Sequence, residues 1–335
     1  MKIIVDSHIP NIQGLIEPRA QVLYLEPGDI TRDAVRDADA LIVRTRTRCD
    51  ANLLDASRVR FIGSATIGMD HIDLDYCATH GITVRNAPGC NAPAVAQWVF
   101  CAIDAWMRAR NITTTRGLTL GIVGVGHIGS IVARWARQLG FTVLLNDPPR
   151  ENWDGSTDDV FEPLETLQRR CDIITFHTPL TCDGQWPTWH LCDQAFLDGL
   201  ARCRLIIDAA RGPIADNAAL LGWHGDVALD CWENEPNVSR DLLDKAIVAT
   251  PHIAGYSREG KQRGTAMMLE ALNEFYHWDI PVPTIASPAT GAAQVTLAGI
   301  AASYDILADT AALKATPVAF ESLRNHYAHR QEYFG

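Results

Sequence analysis

The stretch that most constrains this chain is Leu118-Thr119-Leu120-Gly121-Ile122-Val123, which runs straight into Gly124-Val125-Gly126-His127-Ile128-Gly129. The apolar run reads as a buried strand, and residues 130–139 have the period of a helix. A second apolar run, 142–145, ends at Asn146-Asp147. Strand, glycine turn, helix and second strand in that order form a dinucleotide-binding unit. Gly124 permits the tight turn, Gly126 lets backbone approach a pyrophosphate, and Gly129 lets helix and strand pack closely. The helix N-terminus at His127-Ile128 then offers free N–H groups and partial positive charge to phosphates. Asp147 lies roughly 20 residues past the turn, where a carboxylate takes the ribose hydroxyls. It would repel a 2′-phosphate, so NAD is expected over NADP, with Arg150 close behind as the one residue that speaks against it.

At 335 residues the chain is long for one core, and two or three domains are expected. Its net charge of −11, without a long run of like charge, argues against nucleic acid or an anionic membrane as partner. The most apolar long stretch, 95–107, is broken by Gln97 and Asp104 and is too short to span a bilayer. Nine cysteines without a C-x-x-C spacing read as reduced thiols, and Met1 leads straight into a strand, so a cytoplasmic protein is expected.

Short apolar runs at 3–5, 22–25, 40–43, 61–65 and 82–85 alternate with helix-compatible segments and read as a small, mostly parallel α/β domain. A helix follows from Asn91 to about Arg110, with an apolar face of Val95, Val99, Ile103 and Trp106 that suits packing. After the glycine motif, strands recur at 173–176, 205–208, 227–229 and 247–249, and a last long helix spans about 257–278. The expected fold is α/β: a doubly wound parallel sheet (Rossmann) nucleotide domain, 93–253, inserted in a smaller flavodoxin-like α/β substrate domain, 1–92 and 254–281. Pro281, Pro283 and Pro288 punctuate the exit, and 282–335 is too small to fold alone, so it is expected to dock on the body or on a second subunit.

Ligands in such sheets bind beyond the carboxyl ends of strands. Arg211, Asp230, a glutamate at 233 or 235, and His252 all fall there. Oxidising a 2-hydroxy acid needs a base, and histidine titrates in the working range. A carboxylate can hold the imidazole and favour its protonated form, and an arginine takes a carboxylate with two prongs. No metal is expected.

Through Gly124-Val125-Gly126-His127-Ile128-Gly129, Ala210-Arg211-Gly212, Asp230-Cys231-Trp232-Glu233-Asn234-Glu235-Pro236 and Thr250-Pro251-His252-Ile253-Ala254-Gly255, the chain resembles the D-isomer-specific 2-hydroxyacid dehydrogenases. The resemblance implies Arg211 as substrate anchor, His252 as acid/base, and Glu235 rather than Glu233 as its partner. Further stretches, among them Ala65-Thr66-Ile67-Gly68 and Phe320-Glu321-Ser322-Leu323-Arg324, are similar to the branch that acts on a four-carbon sugar-acid phosphate. That branch implies Thr45, Thr66 and Tyr256 at the substrate, and Asp147, Thr178, Asp230 and Gly255 at NAD. It implies a homodimer built on the tail, here shorter than usual, and Thr45 stands where a serine is expected.

The 66–68 turn can offer backbone N–H groups, Gly68 included, to the substrate carboxylate. Arg44, Arg46 and Arg48 alternate with Thr45 and Thr47, so an extended chain would put the arginines on one face. Arg44 is expected at the phosphate. Two rival readings stay open at this point: another D-2-hydroxy acid such as 3-phosphoglycerate, or an NAD-sensing protein that binds a partner without turnover.

Overall fold

The computed structural model describes residues 1–152, 159–285 and 295–333. Residues 1–91 and 257–287 form one compact unit, and residues 92–256 with 288–335 form a second.

In the first unit, β1 (Lys2–Asp6), β2 (Gln21–Leu25), β3 (Ala40–Val43), β4 (Phe61–Ser64) and β5 (Thr83–Arg85) form a parallel sheet in the order β2-β1-β3-β4-β5. This is the flavodoxin-like order. Alternate residues serve the two faces. Ile3, Val5, Ile42 and Phe61 meet Met268, Leu269 and Leu272 of the helix Arg258–Tyr276. Ile4, Leu41, Val43 and Ile62 meet Val35, Leu53, Leu54 and Cys77 on the other side. With both faces covered, β3 and β4 read as unbroken buried runs.

The second unit carries β6 (Thr119–Val123), β7 (Thr142–Asn146), β8 (Ile173–Phe176), β9 (Leu205–Asp208), β10 (Asp226–Leu229) and β11 (Val248–Ala249), all parallel, in the order β11-β10-β9-β8-β6-β7. Outside β7, Phe161 makes a parallel bridge to Leu145. The strand that would continue a Rossmann sheet there is reduced to that bridge, and Pro163 follows at once. The direction of winding changes between β6 and β8, the crevice in which doubly wound sheets take their ligands. The helix Ala92–Ala109 is buried along most of its length. Its Trp98 Nε1 donates to Thr250 Oγ1 (3.0 Å) and its Trp106 Nε1 to Asp226 Oδ2 (2.9 Å).

The helix of the glycine motif, His127–Gln138, begins at the turn itself, ahead of the Ser130 start expected from periodicity. Three short helices of the C-terminal segment, Leu297–Ala302, Ile306–Ala315 and Phe320–Asn325, belong to the second unit of their own chain. Ile300, Tyr304 and Ile306 join the core around Trp98 and Trp106, while Leu313 and Phe320 join the one on the other side of the sheet. Pro288 lies outside the described residues. No described helix is long and apolar enough to cross a membrane.

Candidate active site

At the end of β6 the three motif glycines show three different surroundings. Gly124 has φ +85°, and a Cβ there would stand 2.8 Å from the backbone of His177 and Thr178. A Cβ at Gly129 would lie 2.1 Å from the Gly124 carbonyl oxygen. At Gly126 a Cβ would meet nothing within 4 Å, and Gly126 and His127 are exposed at the helix N-terminus, with Ile128 half-buried. The first and third glycines are thus required by the protein's own packing, and the second leaves room for something else. Beside them Thr178 Oγ1 is buried and, among the described residues, has no hydrogen-bond partner. An open backbone approach, an orphaned hydroxyl and a helix N-terminus at one crevice fit a bound pyrophosphate.

Asp147 closes this turn from the next strand: its Oδ2 accepts from Val125 N (2.7 Å) and its Oδ1 from Arg150 N (3.0 Å). The Arg150 guanidinium donates to the Val125 carbonyl (2.5 Å), pairs with Asp159 (3.5 Å) and lies over the Phe161 ring. His177, which follows β8, is held neutral, its pKa pushed down to about 3 by burial.

The ends of β9, β10 and β11 carry the second constellation. Gly212 lies on the neighbouring loop so tightly that a Cβ would be 2.1 Å from the Trp232 carbonyl, which places Arg211 beside the loop bearing Glu235. Arg211 Nη1 is braced on the Ala210 carbonyl (2.8 Å). His252 adopts a left-handed backbone, φ 56°. For a non-glycine residue that conformation persists only where the surroundings impose it. Here Asp230 imposes it: its carbonyl accepts His252 N (2.8 Å), and its buried carboxylate accepts Thr250 Oγ1 (2.5 Å), Ile253 N (2.8 Å) and Ala254 N (2.9 Å). Asp230, expected at NAD, thus also ties down the loop that ends at the half-buried Gly255.

His252 Nδ1 donates to Glu235 Oε1 at 2.6 Å. Burial pulls the His252 pKa down, but the hydrogen bond and charge of Glu235 outweigh it and leave the imidazole above its ordinary value. For Glu235 burial acts upward, and the His252 bond, His252 charge and Arg324 hold it below the usual carboxylate range. The choice between the glutamates that the residues alone leave open is decided by geometry. Glu233 is engaged elsewhere, accepting from His190 Nε2 (2.7 Å) and Asn217 N (3.0 Å). His190, Asp216 and Glu233 bring ligand-type atoms within 4.8 Å of one another. Asp216 is committed to capping the helix Asn217–Gly222, so hydrogen bonding accounts for this group.

Within the first unit, the Thr66 turn is held by Ser64 Oγ (2.8 Å) and by Asn86 Nδ2 on the Ile67 carbonyl (2.7 Å). Among the described residues the amides of Ile67 and Gly68, both half-buried, make no backbone hydrogen bond outside helices and strands. The extended arginine ladder expected at 44–48 is not what forms. Thr47 N closes a turn on the Arg44 carbonyl (3.3 Å), because buried Thr47 and Cys49 draw the chain inward to bridge Ile72. Arg44 is left half-buried, Thr45 and Arg46 exposed, and Arg48 exposed and paired with Asp50 (2.8 Å). Lys261, absent from the sequence reading, lies close enough to feel the Arg44 charge. Burial and then Arg44 push its ammonium down to about 7. A lone lysine early in a helix carries no signal of this in sequence. Tyr256, in the second unit, packs edge-on against Tyr327 of the tail.

Residues 93–254 match the family described as D-isomer specific 2-hydroxyacid dehydrogenase, NAD binding domain. The chain belongs to the D-isomer-specific 2-hydroxyacid dehydrogenases, and NAD is its cofactor. It is 44% identical to erythronate-4-phosphate dehydrogenase of Bacteroides thetaiotaomicron over 342 residues, spanning 99% of this chain and 97% of that one. To the Bacteroides fragilis enzyme of the same name it is 45% identical with the same coverage. Among solved structures, D-lactate dehydrogenase from Aquifex aeolicus, complexed with NAD and lactic acid, shares the fold at a TM-score of 0.68 and 23% identity, over 83% of this chain and 96% of that one.

Proposed function

We propose that the protein oxidises 4-phospho-D-erythronate to 2-oxo-3-hydroxy-4-phosphobutanoate with NAD, a step toward pyridoxal 5′-phosphate. The observation that carries this is the Glu235–His252 pair at the strand ends of an NAD-binding unit, in a chain near-fully alignable with erythronate-4-phosphate dehydrogenases.

NAD, when bound, supplies the acceptor for the hydride that leaves C2. His252 takes the C2 hydroxyl proton on Nε2, because Nδ1 is held by Glu235. Glu235 keeps the ring in that tautomer and stabilises the imidazolium that results. Arg211 grips the C1 carboxylate and steadies charge on the C2 oxygen, and the amides of Ile67 and Gly68 give the carboxylate further donors. Asp147 takes the adenosine ribose. Arg44 is assigned to the phosphate with Lys261, and Thr45, Thr66 and Tyr256 to the substrate's oxygens. Arg44 beside a lysine whose ammonium is pushed down to about 7 suits an anionic group, whose charge would draw the proton back onto Lys261. The protein is further read as a cytoplasmic homodimer, which its free thiols and the exposed Val318 and Leu307 of the tail support.

Arg44→Ala tests the substrate assignment. Removing one charge-assisted contact costs about 1.5–3 kcal/mol, or roughly 10–150-fold. kcat/KM for 4-phosphoerythronate should fall by that factor, while the already poor turnover of erythronate stays unchanged. An equal loss on both acids would remove Arg44 from the phosphate.

A further inference from the structure

The Glu235 oxygen that receives His252 Nδ1 also lies near a cation. Arg324 Nη1, on the C-terminal helix Phe320–Asn325, stands 3.7 Å from Glu235 Oε1, and its Nη2 donates to Glu321 Oε1 at 2.8 Å. Its side chain is only 22% exposed. That helix is seated firmly. Phe320 is fully buried in the core of the same unit. A few residues on, buried Arg330 donates to the carbonyls of Ile253 (3.0 Å), Ala254 and Tyr256 (3.3 Å), just past His252. It also reaches the Ala94 carbonyl (3.0 Å) and Gln97 Oε1 (3.1 Å), and lies over the Tyr304 ring. Arg324 is therefore held at a fixed place beside the pair and does not wave at the surface.

We infer that Arg324 is a positioning residue of the reaction: acting through the oxygen it shares with His252, it offsets part of the Glu235 charge and so limits how tightly His252 holds a proton. This rests on the proposed role of His252 as base. The need follows from the pair's chemistry. A carboxylate 2.6 Å from a half-buried imidazole, with Asp230 and Asp208 also near it, stabilises the imidazolium, and an imidazolium cannot accept the hydroxyl proton. Among the described residues, the cations that act on the pair are Arg211, on His252, and Arg324, on Glu235, while Cys231 in the same loop is a neutral thiol with its pKa raised by burial. Arg211 is to be spent on the substrate carboxylate. Arg324 is the cation that stays on Glu235 when substrate is bound.

The test is a titration of His252 in the NAD-loaded full-length protein, read from the ring carbon signal by NMR and assigned by its loss in His252→Ala. Arg324→Gln should move the His252 titration upward by about 0.5–1 pH unit, the size expected of one partly screened charge at this range. Arg324→Lys, which keeps the charge but not the fork, should restore most of the original value. The acid limb of kcat/KM for oxidation should follow the same shifts. An unmoved or lowered titration in Arg324→Gln would overturn the inference, as would equal shifts in the Gln and Lys variants, which would mark a packing role alone. The NMR titration reads Arg324 whether or not 4-phosphoerythronate is turned over, so a wrong substrate would show in the kinetics and leave this result intact.

Discussion

Asp208 ends β9 with one carboxylate oxygen accepting Ala210 N (2.8 Å) and the other buried without a partner among the described residues. Burial raises its pKa to about 8. A carboxyl whose folded pKa lies above its unfolded value binds more protons folded, so its stabilising contribution is lost as pH rises from about 4 to about 8. Asp208→Asn keeps the acceptor and removes the ionisation. Its Tm should lie closest to the parent's near pH 4 and exceed it by a growing margin up to about pH 8. Parallel Tm curves across that range would show that Asp208 is not held protonated. At the same scale, His252→Ala should cut turnover by roughly 10²–10⁴ with NAD affinity retained. Because the His252 pKa is raised, oxidation should weaken as pH falls through it. Glu235→Gln, which removes the raising charge, should move that limb to lower pH. An unmoved limb would separate Glu235 from the chemistry.

At the scale of elements, the glycine turn separates folding from binding. Gly129→Ala forces a Cβ onto the Gly124 carbonyl and should destabilise the protein. Gly126→Ala meets open space, so apo stability should hold while NAD affinity drops by roughly 10–150-fold, the cost of displaced phosphate contacts. Loss of apo stability in Gly126→Ala with NAD binding intact would reverse the two roles. Asp147→Ala should erode the preference for NAD over NADP, and equal affinity of the parent protein for both would refute the ribose contact. These elements were legible in sequence because parallel strands covered on both faces leave near-continuous apolar runs, and because each motif glycine answers one steric demand. The turn at Arg44–Thr47 was not legible. Alternating arginines and threonines specify an extended strand only if nothing pulls the chain back, and the bridge from Cys49 to Ile72 does so. The edge strand reduced to Phe161 was equally hidden, since one bridge leaves no periodic trace.

For the whole molecule, the tail is where local pattern carried least. Arg324 and Arg330 sit in a basic, aromatic stretch whose partners, Glu235 and the carbonyls after His252, lie far back in the chain. Only the folded unit brings them together. Residues Ile300, Tyr304, Ile306, Leu313 and Phe320 are buried in the cores of the second unit, so a chain ending near Ile280 should expose those faces and aggregate. Light scattering should report the full-length chain as a dimer. A full-length monomer would end the reading of the exposed Val318 and Leu307 as part of an interface.

The identity of the substrate is tested most directly by NADH appearance with purified protein, comparing kcat/KM for 4-phospho-D-erythronate, D-erythronate and 3-phosphoglycerate. The phosphorylated four-carbon acid should exceed both others by at least the roughly 10–150-fold that one charge-assisted phosphate contact supplies. Equal efficiency on erythronate, or faster turnover of 3-phosphoglycerate, would contradict the assignment.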